Sequence, residues 1–453
     1  MKKSAILAFS LVIPAIAFFA ACRWEEPSAS RSGDNNVILV SIDSLRADHL
    51  RCYGYERETS PNIDRIAAQA AVFQNAFSQS AWTLPSHASM LTGLLPSEHG
   101  LIFYDNEGLG GKKEFGVLDE DVTTLAEILK SRGYACLSYN GGAWIDPDFG
   151  LGQGFDLYTW GGRYFRDNVP KTIDWIRAHR EEKFFVFLHA YDVHPPFVDA
   201  PRTNSFFDYK GPLKLEEITS EKVESLDSAE YQYLVSQYDA AVLRADEALG
   251  SLFSLLEEAG LAEKTILILT ADHGEMLGEH GKWGHIYPLF EELMRVPLII
   301  RVPGVKGISV SRLVPGTIGI LPTVLDLLGI REAGDLAKNS LAPLLRGEDF
   351  RFDSVLCDTG RIEGPSRCRA VRTEKWKLVS YEEAGRGPRI ELFDLENDPG
   401  EKSDVSAQNP AISRELLNKL LESSGSRVRK TGKKTLDPRI LERLRSLGYL
   451  IEK

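Results

Sequence analysis

The stretch Thr83-Leu84-Pro85-Ser86-His87 could place a hydroxyl nucleophile at the start of a helix. Proline favours the first helical turn, because the N–H it lacks is one the helix leaves unbonded there. A nucleophile so placed gains from the positive end of the helix dipole, which also draws in an anionic substrate. A threonine hydroxyl is a poor nucleophile in water. Coordination to a divalent cation lowers its pKa and makes it usable. Asp43, Asp272 and His273 supply a shell for such a cation, with Thr83 as a fourth contact. Two carboxylates and an imidazole suit manganese, zinc or iron better than the all-oxygen cage calcium prefers. Manganese or zinc therefore stands ahead of calcium or magnesium.

Those residues need a scaffold that brings distant segments to one edge. Continuous apolar runs at Asn36–Ile42, Tyr134–Tyr139, Phe184–Leu188, Thr265–Thr270 and Pro297–Val302 read as parallel strands buried on both faces. Helical patterns separate them, at Asn62–Ala70, Val122–Arg132 and Ala229–Ala259, the last two stopped by Gly133 and Gly260. The alternation predicts an α/β fold with a doubly wound, mostly parallel central sheet. Asp43 follows the first strand, Asp192 and His194 the Phe184 run, and Asp272 and His273 the Thr265 run. In an open parallel sheet, that carboxyl edge is where sites form. Residues 36–348 make up this catalytic unit. A small C-terminal α+β unit spans 349–422: Cys368–Ser380 and Ile390–Asp394 alternate like antiparallel strands, and Ala411–Leu421 reads as a helix. Residues 423–453 read as a solvated Ser/Gly/Lys/Arg linker up to Lys434, then a short docking helix at Pro438–Leu450.

The chain has 453 residues, 43% hydrophobic, enough to bury a large core. Its net charge of −12 argues against a nucleic-acid partner, because phosphate backbones require a basic surface. Lys2 and Lys3 precede an apolar run, Ala5 to Ala20, that is too short for a comfortable membrane span. It ends in Phe19-Ala20-Ala21-Cys22, which resembles a bacterial lipobox. Residues 1–22 thus read as a lipoprotein signal with Cys22 acylated; an uncleaved anchor or ordinary signal peptide is the alternative. Residues 23–35 read as a flexible tether. The expected location is the bacterial cell envelope, lipid-anchored and facing periplasm or exterior. Cys52, Cys136, Cys357 and Cys368 form no CxxC pair, which argues against a zinc ribbon or redox motif. Cys357 and Cys368 read equally as a disulfide or as buried thiols.

The stretch Ser80-Ala81-Trp82-Thr83-Leu84-Pro85-Ser86-His87-Ala88-Ser89-Met90-Leu91-Thr92-Gly93 resembles the signature of the sulfatase family, within the alkaline phosphatase superfamily. Ser41-Ile42-Asp43-Ser44-Leu45-Arg46, Ser60-Pro61-Asn62-Ile63-Asp64-Arg65-Ile66, Leu188–Pro196, Asp272–His285, Arg295–Arg301 and Glu391–Glu401 carry the resemblance along the rest of the chain. It implies a sulfatase-like fold, Asp43, Asp272 and His273 as metal ligands, and His194 on the substrate. Sulfatases oxidise a Cys or Ser at the position of Thr83 to formylglycine. Threonine cannot give that group, so no formylglycine is expected. Ser44 stands where the family usually has a second Asp, and His87 where it has Arg. No lysine is present near Asn140-Gly141-Gly142, and His285 occupies the place of the family's second lysine. The gained imidazoles resemble the threonine branches of the superfamily, which implies a second metal held by Asp192, His194 and His285. Asn140 reads either as a donor to a substrate oxygen or as a turn residue with Gly141 and Gly142. Arg46 and His87 read as substrate contacts or as local partners of their own segments. His189, His49, His99 and His280 read as structural.

The leading expectation is a metal-dependent hydrolase of anionic esters, namely phosphate mono- or diesters. Thr83 would attack phosphorus, with His194 and His285 as catalytic imidazoles and Asn140, His87 and Arg46 on the substrate. A sulfuric ester hydrolase is the first alternative. A phosphotransferase is the second, although such relatives commonly carry several membrane spans that this chain lacks. An inactive sulfatase-like binding protein is the third, and the intact Asp43, Asp272, His273 set weighs against it. Ile102–Val117 and Asp199–Glu224 read as specificity loops with no readable code. Two or more acyl chains anchor a protein stably where one does so only marginally. Cys22→Ala should therefore release the protein from membranes, read by fractionation after a carbonate wash. Retention of the variant would remove the lipid anchor from the reading.

Overall fold

Asn36–Ile42 is apolar at nearly every position because it lies in mid-sheet, covered on both faces. Successive side chains of a strand point to opposite faces. Val37 and Leu39 accordingly enter one core, and Ile38, Val40 and Ile42 the other. The structure, a computed structural model, describes residues 34–101, 115–197, 206–285, 288–305, 307–361, 367–382, 387–423, 432–434 and 437–447. Cys22, its signal segment and nearly all of the tether lie outside the described residues, as do parts of both loops read as specificity elements.

The fold is a doubly wound α/β sandwich on a nine-stranded sheet. Asn36–Ile42 pairs in parallel with Phe184–Ala190 on one side and Thr265–Thr270 on the other. Ala135–Asn140 and the edge strand Leu157–Trp160 extend this parallel half. Helices Pro61–Ala67, Phe165–Ala178 and Ser228–Glu258 cover one face. Helices Thr83–Thr92, Leu125–Ser131 and Ile320–Leu327 cover the other.

The far half of the sheet departs from expectation. The run at Pro297–Val302 forms Leu298–Arg301, which is antiparallel to both Thr265–Thr270 and Ala71–Phe77. Thr265–Thr270 ends at the carboxyl edge, and no helix longer than Glu291–Met294 lies between the two strands. Without a crossover helix to return the chain to the opposite edge, it re-enters the sheet from the edge it left. Ala71–Phe77 is a strand the pattern does not announce, because Gln74 and Asn75 interrupt its apolar run. Ile308–Pro315 runs parallel beside it, and Asn75 donates to the Ser311 carbonyl at 2.7 Å.

The C-terminal unit is an antiparallel sheet in the order Val355–Arg361, Arg367–Arg372, Trp376–Glu382, Arg389–Asp394. One face packs Val371, Leu378 and Leu392 against Leu416 and Leu420 of helix Pro410–Ser423. The other packs Val355, Cys357, Ala370 and Val379 against Phe77, Ala81, Met276 and Leu313 of the catalytic unit. Cys357 and Cys368 are free buried thiols, pushed up to about 12 by burial, and Cys357 faces Ala370 across the ladder. The expected linker is not wholly solvated backbone: Gly432–Lys434 pairs antiparallel with Phe115–Val117. The terminal helix, Pro438–Ser446, buries Ile440 and Leu444 in the main core.

A buried ionic knot ties the two units together. Lys377, 1% exposed, sets its Nζ 2.7 Å from Glu401 and 3.3 Å from Glu291. Arg372 also reaches Glu291, at 3.4 Å, and the Glu291 N–H donates to Glu401 at 2.7 Å. Removing one partner from a buried ion pair costs about 3–5 kcal/mol, because the other is left uncompensated. Lys377→Met should lower the unfolding free energy from urea denaturation by that much, whereas Lys375→Met, at an exposed pair with Glu396, should leave it unchanged.

Candidate active site

The carboxyl edge of the parallel strands gathers the reactive residues, as the rule for open sheets requires. Asp43 follows Asn36–Ile42, and Asp272 and His273 follow Thr265–Thr270. His189 lies in the last turn of pleat of Phe184–Ala190, and Asn140 ends Ala135–Asn140. Asp43, Asp272 and His273 are fully buried, and one ligand atom of each lies within 4.8 Å of the others. This is the one such cluster among the described residues.

Loop geometry fixes those carboxylates. Ser44 adopts a left-handed backbone, φ 60°, a conformation uncommon outside glycine. That turn aims the Ser44 N–H at Asp272, 3.2 Å away, and its hydroxyl at Asp43, 3.1 Å away. Tyr238, on the long helix, clamps the turn by accepting from the Arg46 N–H and donating to the Ser44 carbonyl, each at 2.8 Å. Gly274 is required beside His273: a Cβ there would sit 1.9 Å from the Glu292 carbonyl oxygen.

Thr83 is the first residue of helix Thr83–Thr92, and its hydroxyl donates to Asp43 at 3.3 Å. The segment before it is stitched to the C-terminal sheet. The Asp358 N–H donates to Gln79 O at 2.8 Å, and Trp82 Nε1 donates to Thr359 O at 2.9 Å. Gly93, φ 72°, closes the helix, as a left-handed residue commonly does.

The donor set fits a divalent cation. His273 Nδ1 donates to the Gly274 carbonyl at 2.8 Å, which leaves Nε2 as the lone-pair nitrogen. Nε2 is buried with no hydrogen-bond partner, as is Asp272 Oδ2. Burial raises the pKa of Asp43, and burial together with the neighbouring Asp43 charge raises that of Asp272. Burial opposes charge on His273, but the two carboxylates outweigh it and raise the imidazole. Two carboxylates that resist ionisation side by side, with unpaired acceptor atoms between them, call for a positive charge.

Around the cluster, neutral imidazoles accumulate. His189 Nε2 donates to Asp43 at 3.2 Å, while Nδ1 accepts from the Gly141 N–H at 3.4 Å. His189 was read as structural; its register partner Ser41, two residues before Asp43, is the sign that places it at the site. Rings of His273 and His285 lie 4.4 Å apart, and those of His285 and His194 4.9 Å apart. His285 is held by Glu275, 3.1 Å from its Nδ1, a buried carboxyl that sequence reasoning passed over although it adjoins Gly274. Burial pushes His285 and His189 down to about 3, and drives His194 well below the usual imidazole range. Asn140 serves the turn through Oδ1, which accepts from the Gly142 N–H at 2.9 Å. Its Nδ2 is buried without a partner, so both readings of Asn140 fit.

Three assignments are corrected. Arg46 cannot serve substrate, because its guanidinium is spent on Asp48, on Glu279 and on the Glu275 carbonyl. His87 uses both ring nitrogens: Nδ1 donates to the Thr83 carbonyl at 2.8 Å, and Nε2 accepts from Ser41 at 2.9 Å. Its ring therefore braces the helix that Thr83 begins. Asp192 does not join His194 and His285 in a second cluster; its carboxylate accepts the Phe165 N–H at 2.7 Å, and burial raises it to about 7.

A threonine at a helix start, facing two carboxylates and an imidazole on an α/β sheet edge, defines an ester hydrolase of the alkaline phosphatase superfamily. Residues 35–330 match the family model described as Sulfatase, and 278–426 that of N-sulphoglucosamine sulphohydrolase, C-terminal. The chain belongs to the sulfatase family. It is 26% identical to an N-acetylglucosamine-6-O-sulfatase of Bacteroides thetaiotaomicron over 91% of this chain and 90% of that one. It is 24% identical to human arylsulfatase K, covering 85% and 81% of the two chains. Among solved structures, it resembles the phosphonate monoester hydrolase of Agrobacterium radiobacter with a TM-score of 0.69 at 21% identity, covering 89% of this chain and all (100%) of that one.

Anything that binds the native state alone stabilises it. Manganese or zinc should therefore raise the melting temperature of the protein and titrate stoichiometrically in calorimetry. Asp272→Asn and His273→Ala should abolish both effects, and Asp192→Asn should preserve them. Loss of the ion in Asp192→Asn would return that residue to the metal.

Proposed function

We propose that this sulfatase-like hydrolase uses Thr83 as its nucleophile and acts on phosphate mono- or diesters in preference to the matching sulfate esters. The observation that carries the reading is the Thr83 hydroxyl, buried at a helix N-terminus and 3.3 Å from Asp43. Asp43, Asp272 and His273 would hold the cation, with Thr83 beside them. A dication bound there lowers the pKa of an adjacent hydroxyl and offsets charge on the transferred group.

The chain's own residues account for the remaining steps. Thr83 Oγ bonds to phosphorus and gives up its proton to solvent as the ester oxygen leaves with its electron pair and takes a proton from solvent, giving a phosphothreonine and the free alcohol. Water then bonds to phosphorus, and Thr83 Oγ departs and regains its proton. The helix N-terminus favours the incoming anion. Asn140 Nδ2 is placed to donate to an oxygen of the transferred group. His194 and His285, neutral and adjacent, would each donate a ring N–H hydrogen bond to an oxygen of the transferred group. A formylglycine hydrate can expel bound sulfate by breaking a carbon–oxygen bond. A threonine ester has no such exit and must be hydrolysed at the sulfur or phosphorus, a problem that phosphoryl transfer solves by nucleophilic catalysis. The same fold is found in the phosphonate monoester hydrolase above.

Sulfate ester hydrolysis is the second reading, favoured by the sulfatase names of the curated relatives. Purified protein with manganese or zinc, given aryl phosphate and aryl sulfate esters with the same leaving group, separates the two. Phosphate turnover should exceed sulfate turnover, and Thr83→Ala should lose roughly three orders of magnitude or more in kcat. Faster sulfate turnover reverses the ranking, and activity surviving in Thr83→Ala removes the nucleophile.

A further inference from the structure

Arg163 lies between edge strand Leu157–Trp160 and helix Phe165–Ala178, at the same carboxyl edge as the active site. Its carbonyl accepts the Tyr191 N–H at 2.9 Å, one residue past the strand that carries His189. Tyr191 in turn packs edge-on against His189 and His194, with ring centroids 4.8 and 5.5 Å away, and donates to the Gly142 carbonyl at 3.1 Å. Arg163 is thereby pinned beside His194, and its charge helps to keep that imidazole neutral. The neighbouring arginines have acidic company: Arg166 and Arg244 act on Asp192, Arg443 pairs with Asp146 at 3.2 Å, and Arg46 pairs with Asp48 and Glu279. Arg163 differs. Its Nε and Nη2 are both buried, and neither meets an acceptor.

We propose that Arg163 is a substrate-binding residue that grips two oxygens of the anionic group through Nε and Nη2. Two buried guanidinium nitrogens without acceptors are unfavourable until an anion completes them. Nε and Nη2 lie on one edge of the planar group, the fork that matches a pair of oxygens on a tetrahedral anion. The segment Asn140-Gly141-Gly142 and His285 bring no lysine to this edge, and Arg163 supplies a fixed positive charge there. The Tyr164 ring, 5.4 Å from its Cζ, flanks the guanidinium.

The proposal rests on the reading of the Thr83 site as one that takes anionic esters, and binding without turnover separates the two. Calorimetric titration of the manganese-loaded protein with inorganic phosphate and with sulfate is the measurement. Arg163→Gln should weaken binding of the preferred anion by roughly ten- to a hundredfold, the scale of charge-assisted hydrogen bonds. Arg163→Lys, which keeps the charge and loses the fork, should fall between. Lys375→Met, at the exposed pair with Glu396, should bind the anion as the unaltered protein does. In turnover of an aryl ester, Arg163→Gln should raise KM more than it lowers kcat. Equal anion affinity in Arg163→Gln overturns the proposal, and so does failure of the unaltered protein to bind either anion. Anion binding that depends on Arg163 in a protein that turns over no ester upholds this site and sinks the catalytic reading alone.

Discussion

Two carboxylates buried side by side are the constraint around which this structure is arranged. Asp43 and Asp272 come from strands that are neighbours in the sheet, so the register of one pair of strands brings them together. Burial raises the pKa of both, the Asp43 charge raises that of Asp272 further, and neither can be tolerated as an anion without compensation. The compensation visible in the chain is a set of directed donors: the Ser44 N–H and hydroxyl, the His273 N–H and His189 Nε2. Each of those donors is fixed by something further out, and the chain of support leads through Tyr238 to the long helix and through Gly141 to the Asn140 turn.

Much of that arrangement was legible in the sequence. An acidic residue that follows a largely apolar strand-length run reads as lying at the edge of a covered strand, and Asp43 and Asp272 both fit that pattern. Thr83 is marked by Pro85, which belongs in a first helical turn. What failed shares a cause. Arg46 and His87 were assigned to substrate because their partners could not be seen: Glu279 lies far along the chain from Arg46, and Ser41 is remote from His87. A lone arginine or histidine near a motif looks the same in sequence whether it is spent or available. His189 and Glu275 were missed for the converse reason, since the register that sets His189 beside Ser41 and the contact of Glu275 with His285 are tertiary facts. The direction of Leu298–Arg301 was misread because an apolar run carries no sign of its sense; the missing crossover helix did.

The distribution of charge also separates structure from chemistry. Lys377, Arg372, Glu291 and Glu401 form a closed set in which every charge has a partner, and the set joins the two units. At the active edge the accounts are open: Asp272 Oδ2, His273 Nε2, Asn140 Nδ2 and two nitrogens of Arg163 are buried without partners. Native proteins rarely leave such atoms unpaired, and clusters of them are the mark of a place where something else completes the bonding.

The stitching of Gln79 and Trp82 to Asp358 and Thr359 has a consequence for how the protein comes into being. The segment before Thr83 is synthesised early, but two of the backbone groups that hold it are made more than 270 residues later, the Trp82–Thr359 bond spanning 277 positions. Until that strand docks, the loop rests on its bonds to Met294 and Thr317.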